Sequence, residues 1–308
     1  MTPIDPKKFK VGLYLPNGDG IMSPGIHRWS DVLRLTQKTE SAGLDSVWVA
    51  DHMIFRNEGY PTEGRWECWQ MLAAMAAVTS RVEIGPLVCC MGFRNPALLA
   101  KIAETTDEIS DGRLILGLGA GWHEPEFTSY GYPYDHRASR FEEGFKVLYD
   151  LIRTGESDFH GLYYTTDRAE MRPRGPRNGE MPIMIGTDGA RMLQLTAKYA
   201  DIWNTTWTRS VDEVLPRLAA LDVACEQNDR DPASIGRSCC IFVDAEGAQG
   251  TFTHQYGVVP PNPRSTQEIA EFLGSYAEAG VDHVMVWLDP YTEEAIDQLA
   301  EGVRILRA

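Results

Sequence analysis

Apolar residues occur along this chain in runs of strand length, and most of these runs are continuous rather than alternating. The runs are VGLYL (11–15), DSVWVA (45–50), VEIGPLV (82–88), RLILGLG (113–119), PIMIG (182–186), DIWN (201–204), CCIFV (239–243) and HVMVWL (283–288). Strands buried on both faces of a parallel sheet have this pattern, whereas strands with one solvated face alternate apolar and polar residues. The pattern therefore predicts a parallel sheet that is covered on both sides.

The segments between these runs have helical periodicity. Phe141, Phe145, Leu148 and Ile152, for example, fall on one face of a helix. Eight strands joined by crossover helices in 308 residues predict one domain over residues 1–308, of α/β class, folded as a (β/α)8 TIM barrel. A doubly wound open sheet is the competing fold, but LPNGDGIM after the first strand lacks the glycine-rich turn GxGxxG of that fold.

Two connections are longer than a barrel requires. Residues 154–181 follow the fourth helix of the barrel and carry aromatic residues before an Arg/Pro/Gly cluster. Residues 244–264 follow strand seven and are rich in glycine and proline. Long loops in compact domains often cover binding sites, so the second should lie on the active face. The first could instead be a surface excursion before strand five.

The composition limits the partners and the compartment. The net charge is −15, from 44 acidic and 29 basic residues, which disfavours binding to nucleic acid or to an anionic membrane surface. Residues 1–10 contain no apolar signal-peptide core, and no apolar run approaches the length of a membrane span. These features predict a cytoplasmic protein that acts on a small molecule.

The cysteines and histidines do not follow a metal-binding pattern. The six cysteines lack CxxC or Cys/His spacing, and no His-x-His occurs among the seven histidines. We expect the cysteines to be reduced core residues, and no metal site. Cys89 and Cys90 lie where strand three ends, which brings them near the active face.

In a barrel, the chemistry takes place where strands end and βα loops begin. The residues at these ends are rich in tryptophan, glycine and hydroxyl groups, a set suited to a flat conjugated ring. Trp48, Trp69, Phe93, Trp122 and Trp207 predict an apolar or aromatic surface, which does not identify the substrate.

His52 is the first candidate for proton transfer, because it directly follows strand two and an imidazole titrates near neutral pH. The alternative is a histidine that only caps the barrel by hydrogen bonding. Asp51 is adjacent, but adjacent side chains need not point the same way, and the alternative for Asp51 is a carboxylate bound to backbone donors. Glu124, after strand four, is a second candidate acid.

IGTDGAR (185–191) directly precedes a helix that begins near Ala190. Free backbone N–H groups at a helix start, flanked by glycines, can bind phosphate, and Thr187 and Arg191 can add donors. An ordinary turn with an N-cap at Thr187 or Asp188 explains the same residues equally well.

Several blocks resemble the bacterial luciferase-like family of flavin- and deazaflavin-dependent oxidoreductases, in the same order along nearly the whole chain. These blocks are VADHM (49–53), FRNPALLAKIAETTDEISDGRLILGLGAGWHEPEF (93–127), YGYPYDHRASRFEEG (130–144) and PIMIGTDGARMLQLTAKYADIWN (182–204). The second contains R-x-P, T-x-D-x-x-S-x-G-R and G-x-G-x-G-W, which is the most distinctive part of the pattern.

The resemblance implies a cofactor ring over strand three, its phosphate near strands five and six, and His52 facing ring or substrate. It also implies a cis peptide at Leu87–Val88. The candidate cofactor-binding residues are Asp51, Leu87, Val88, Cys89, Gly119, Gly121, Trp122, Gly186, Thr187, Asp188, Gly189 and Asn204.

The family contains two chemistries. Members that use F420 transfer a hydride, whereas members that use FMN take reduced flavin from a reductase and act as monooxygenases. The G-x-G-x-G-W-x-x-x-E stretch resembles the F420 branch more closely, so coenzyme F420 is expected, with FMN as the alternative. Ala120 departs from the pattern, because relatives place a functional side chain there; His123 or Glu124 would then substitute. Family habit implies a homodimer.

Two other functions remain open. One is a flavin-binding protein without catalytic activity. The other is a glycosidase that uses Glu124 or Glu126 opposite Asp244 or Asp289 as a carboxylate pair. The ordered blocks of the luciferase-like pattern argue against the second.

Overall fold

The computed structural model describes residues 2–20, 26–250 and 262–308. The thirteen strands are β1 Lys10–Tyr14, β2 Ser46–Val49, β3 Ile54–Phe55, β4 Glu63–Gly64, β5 Glu83–Pro86, β6 Cys89–Cys90, β7 Leu116–Gly119, β8 Glu156–His160, β9 Thr165–Glu170, β10 Ile183–Gly186, β11 Ile202–Thr208, β12 Gly236–Asp244 and β13 His283–Asp289. The α-helices are α1 Trp29–Ser41, α2 Cys68–Val78, α3 Pro96–Ile109, α4 Glu124–Tyr130, α5 Arg137–Thr154, α6 Ala190–Tyr199, α7 Val211–Gln227, α8 Thr266–Glu278 and α9 Glu293–Arg307.

Nine strands form one parallel sheet in the order β5-β2-β1-β13-β12-β11-β10-β7-β6. The two ends of this order, β5 and β6, are consecutive in the chain and are two halves of barrel strand three. β5 pairs with β2, and β6 pairs with β7. An additional bridge joins Ile84 to Leu114 at the start of strand four. The sheet therefore closes, and the predicted (β/α)8 barrel is confirmed.

The two halves of strand three are separated by the Leu87–Val88 peptide bond, which is cis. This confirms the geometry that the family resemblance implies. The two strands on either side of this bond are short. β5 is paired along its length with β2, and β6 is paired along its length with β7.

Local sequence signals define the ends of several helices. Pro96 is the first residue of α3, where a missing N–H costs little, and the Asn95 side chain accepts hydrogen bonds from the N–H groups of Ala97 and Leu98. Ser265 and Glu268 form a capping box at the start of α8. In both helices, side chains at the start thus accept hydrogen bonds from backbone N–H groups that have no partner within the helix.

Two antiparallel hairpins are inserted between the barrel elements. β8 and β9 occupy the connection before strand five, so this long segment is a hairpin attached to the end of α5. β3 and β4 form a second hairpin after strand two. The hydrophobic pattern does not predict either hairpin, because β3 and β4 have two residues each and β8 and β9 are mostly exposed and polar.

The connection after strand seven, predicted to lie on the active face, falls largely outside the described residues. Its two ends are attached to neighbouring strand termini. The Asp289 carboxylate accepts hydrogen bonds from the N–H groups of Gln249 and Gly250, at 3.1 and 2.8 Å. The Asp244 carboxylate accepts one from the N–H of Asn262, at 2.6 Å. Asp244 and Asp289 are directly paired in the sheet, so the two attachment points are adjacent.

A chain of hydrogen bonds joins buried residues of the second and eighth barrel strands. The indole N–H of Trp48 donates to Ser46 Oγ, which lies 2.7 Å from Nε2 of His283. Burial lowers the pKa of His283 from its usual value to about 3. The ring is therefore neutral in the folded protein at any pH near neutrality.

We expect His283 to make the protein less stable as the pH falls. Its folded pKa is depressed, so its contribution is present above the unfolded value near 6.5 and is lost toward pH 3, because unfolding takes up a proton. Between about pH 7.5 and about pH 5 this residue should remove about 2 kcal/mol of unfolding free energy. Urea unfolding of the wild type and of His283→Gln measures the difference. Equal pH dependence in the two proteins would contradict it.

Candidate functional site

A cavity of about 320 Å³ opens at the carboxyl ends of the barrel strands. Each barrel strand contributes to it, either from within the strand or from the residue directly beyond its end. The contributing residues, in strand order, are Tyr14, Ala50, Val88, Gly119, Gly186, Asn204, Cys240 and Trp287. This is where a barrel enzyme holds its substrate, because the βα loops begin at this face.

Most of the predicted site residues line this cavity. They are Asp51, His52, Leu87, Val88, Gly119, Gly121, Trp122, Gly186, Thr187 and Asn204. The other predicted residues, which are Cys89, Glu124, Asp188 and Gly189, do not belong to its lining. Of the predicted aromatic surface, Trp122 and Trp207 line the cavity, whereas Trp48, Trp69 and Phe93 are buried elsewhere.

Cys90, rather than Cys89, lines the cavity. Successive side chains of a strand point to opposite faces, so only one of two adjacent residues can face the cavity. Burial, reinforced by the nearby Asp51 carboxylate, raises the pKa of both thiols well above the ordinary value. Neither thiol is therefore activated as a nucleophile.

Asp51 connects the end of strand two to β6, the second half of strand three. Its carboxylate accepts a bidentate pair of hydrogen bonds from Arg94, at 2.6 and 2.9 Å, and a further one from the N–H of Cys90, at 2.9 Å. Arg94 also contacts Glu67 at 2.5 Å. Desolvation has the largest single effect on the pKa of Arg94 and lowers it, but the charge and hydrogen bonds of Asp51, together with Cys89 and Glu67, raise this pKa overall. Asp51 therefore does not orient His52; its role is to fix β6.

His52 is oriented by Glu126, which the sequence prediction assigned no role in the flavin site. The Glu126 carboxylate is 1% exposed, and its Oε1 lies 2.8 Å from Nδ1 of His52. Its Oε2 accepts a hydrogen bond from the N–H of Met53, at 3.0 Å. Glu124 instead lies exposed at the start of α4. Glu126 ends the G-x-G-x-G-W-x-x-x-E stretch, and this spacing was the available signal.

His123 also accepts a hydrogen bond from the segment that follows His52, residues 53–56. Its Nε2 accepts a hydrogen bond from the N–H of Arg56, at 3.0 Å. Burial lowers the pKa of His123, which fits a neutral ring that accepts at this nitrogen. Residues 53–56 are thus attached at both ends to the segment that begins α4. His123 is engaged in this attachment rather than directed at the cavity.

The predicted phosphate segment forms a turn. The N–H of Gly189 donates to Thr187 Oγ1 at 3.2 Å, and α6 begins at Ala190 with Gly189 as an N-cap that makes no side-chain bond. Asp188 accepts a hydrogen bond from Thr205, at 2.6 Å. Arg191 is held by both oxygens of Glu142, at 2.6 Å each. The charge of Arg191 is therefore already paired. Of residues 187–191, Thr187 lines the cavity.

The floor of the cavity includes Val88, which is packed between two glycines. A Cβ on Gly119 would lie 2.7 Å from Val88 Cγ2, and one on Gly186 would lie 3.1 Å from both of its methyl groups. Any side chain at either glycine would therefore displace Val88. The two glycines keep this part of the cavity flat.

Aromatic rings also line the cavity. Tyr14 lies 5.2 Å from Trp207 and 5.1 Å from Trp287, measured between ring centroids. Burial raises the pKa of Tyr14 to about 12, so its phenol stays protonated near neutral pH. Next to His52, Phe55 and Trp122 add rings at 4.3 and 5.7 Å. The surface of the cavity is more apolar than polar, and its polar part includes the side chains of His52, Thr187 and Asn204.

The family model for luciferase-like monooxygenases matches residues 9–272, which is most of the chain. The chain belongs to this family. The proteins that it resembles include enzymes. None of the described helices is both long and apolar enough to cross a lipid bilayer.

Pyrimidine monooxygenases are among the similar proteins. RutA of Methylorubrum extorquens (strain PA1) is 30% identical over 254 residues, which cover 76% of this chain and 66% of that protein. Across four such relatives the chain spans 62–66% of their length. The similarity therefore covers a large part of each relative but not the whole.

Solved structures share the fold. An F420-dependent secondary alcohol dehydrogenase in complex with an F420–acetone adduct has a TM-score of 0.80 at 20% identity, covering 97% of this chain and 99% of that one. The monooxygenase RslO1 from Streptomyces bottropensis has a TM-score of 0.75 at 19% identity, covering 97% and 100%. Both chemistries predicted from the sequence thus occur on this fold.

Removing Arg94 should strongly destabilise the protein, because the Asp51 carboxylate would remain buried without its partner. We expect Arg94→Leu to lower the unfolding free energy by about 3–5 kcal/mol. Arg304→Leu, which removes the exposed partner of Glu301, should cost less than about 1 kcal/mol. Denaturant unfolding compares the two. Similar losses in both variants would show that the Asp51 pair has no special weight.

Proposed function

We propose that this protein is an F420-dependent oxidoreductase that transfers a hydride to or from a small organic substrate, with His52 moving the accompanying proton. The observation that carries the proposal is the arrangement at His52. One ring nitrogen is held by Glu126, and the other has no hydrogen-bond partner among the described residues, although the ring lines the cavity. Hydride transfer at a carbon that bears oxygen requires such a group, because a proton must leave or reach that oxygen.

The lining suits a flat cofactor ring. Val88 between Gly119 and Gly186 offers an apolar surface of low relief, and Asn204 contributes a polar amide. We assign the phosphate to the backbone around Thr187–Gly189, beside the start of α6. A bound deazaflavin would supply or accept the hydride. Asp51 supports this region by fixing β6 rather than by touching the ring.

The substrate side of the cavity is expected to take a small molecule without a carboxylate or phosphate group. Among the described lining residues there is no lysine or arginine, and the two acids, Asp51 and Glu126, are both paired. Phe55 and Trp122 flank His52 and favour an apolar or aromatic body. A partner that recycles the cofactor would be a separate reductase or dehydrogenase.

FMN-dependent monooxygenation is the second candidate, and the relatives named as pyrimidine monooxygenases favour it. The same pocket would then hold reduced FMN delivered by a partner reductase. In that reaction His52 would act on oxygen-derived groups rather than on a substrate hydroxyl. Cofactor preference distinguishes the two candidates directly.

Binding titrations with F420 and with FMN should show the preference. We expect F420 to bind with micromolar affinity and FMN to bind more weakly, as followed by the fluorescence of each cofactor. Gly186→Val should weaken the binding of either cofactor, because its side chain would push Val88 into the ring position. Tight binding of FMN alone would support the monooxygenase, and binding of neither would contradict both candidates.

Replacing His52 should affect turnover rather than cofactor binding. We expect His52→Ala to lower kcat by about a hundredfold or more, because general acid–base groups contribute on this scale, and to leave cofactor affinity nearly unchanged. His160→Ala is the control, since its side chain is 71% exposed on a hairpin outside the cavity. Full turnover in His52→Ala would show that His52 is only structural.

A further inference from the structure

Glu126 is a buried carboxylate whose two oxygens serve two different donors. Oε1 faces Nδ1 of His52 at 2.8 Å, and Oε2 accepts from the N–H of Met53 at 3.0 Å. The side chain is 1% exposed, so water does not compete for these positions. A carboxylate accepts and does not donate, so Nδ1 of His52 must carry a proton.

We propose that Glu126 is a positioning residue that holds neutral His52 as the Nδ1–H tautomer and so presents Nε2 to the cavity as a proton acceptor. The class of substrate follows from this tautomer. A substrate that offers an O–H or N–H at the reacting position would pair with Nε2, whereas a bare carbonyl oxygen would not. This inference rests on the proposed acid–base role of His52 and deepens it.

The surrounding contacts fix the orientation of the His52 ring relative to the Glu126 carboxylate. The backbone bond to Met53 fixes the Glu126 carboxylate, so it cannot follow the imidazole if the ring rotates. The bond from Arg56 N–H to His123 attaches the far end of the same segment. The His52 ring also packs against Phe55 and Trp122. The orientation of the ring is therefore determined from several sides.

Asp51 and Glu124 do not orient the His52 ring. Asp51 is engaged by Arg94 and by the N–H of Cys90, and Glu124 is exposed outside the cavity lining. Among the described residues, Glu126 is the carboxylate in contact with His52. The tautomer therefore depends on this one side chain.

Glu126→Gln separates positioning from simple structural support. A glutamine has one acceptor oxygen and one donor group, and it cannot satisfy both Met53 N–H and His52 Nδ1–H. The backbone N–H of Met53 can only donate, whereas a neutral imidazole can carry its proton on either ring nitrogen. We therefore expect the amide oxygen to face Met53, the amide N–H to face Nδ1, and the ring proton to move to Nε2.

The tautomer can be measured by imidazole ¹⁵N NMR on the cofactor-free protein, at a pH where the ring is neutral. We expect an Nδ1–H ring at His52 in the wild type and an Nε2–H ring in Glu126→Gln. Glu278→Gln is the charge-matched control, because it removes an exposed carboxylate at the end of α8. An Nε2–H ring in the wild type overturns the proposal, even if the variant fails to fold.

A double-mutant cycle tests the catalytic consequence. We expect Glu126→Gln to lower kcat by about 10–100-fold, with little change in cofactor affinity, and to have no further effect in a His52→Ala background. Additive losses would overturn the proposal, since Glu126 would then act independently of His52. If His52→Ala alone keeps full turnover, the proposed function fails. If only Glu126→Gln keeps it, the positioning role fails alone.

Discussion

The buried Asp51 carboxylate is the constraint on which the rest of the site depends. It stands at the end of strand two and holds both the N–H of Cys90 and the guanidinium of Arg94. Strand three is interrupted between β5 and β6, and the barrel closes only if the second half is held against β7. Because Val88 lies at this interruption, the position of the cavity floor depends on the same carboxylate.

The barrel strands and the location of the site could be predicted from the sequence. Continuous apolar runs specify strands buried on both faces, and strand ends specify the face where the chemistry lies. His52, Gly119, Thr187 and Asn204 follow from this rule alone, because each stands at the end of an apolar run in the sequence or within two residues after it. The rule needs no knowledge of how the side chains pair.

Pairing between side chains could not be predicted in the same way. Whether Glu124 or Glu126 faces His52 depends on where α4 begins and how it packs, which two acids separated by one proline do not reveal in the sequence. Asp51 likewise resembles a partner for His52 in the sequence but contacts Arg94 in space. Cys89 and Cys90 differ only in strand phase, which the interruption of strand three obscures. These are properties of tertiary structure rather than of pattern.

The hydrogen bonds that Asp244 and Asp289 accept affect how this fold can diversify. They hold the two ends of the connection after strand seven at adjacent points on rigid strands, through bonds to backbone N–H groups rather than to particular side chains. Substitutions or changes of length between these ends therefore leave the attachment chemistry intact. The barrel can acquire new chemical recognition in this connection during evolution without altering the strands that support it.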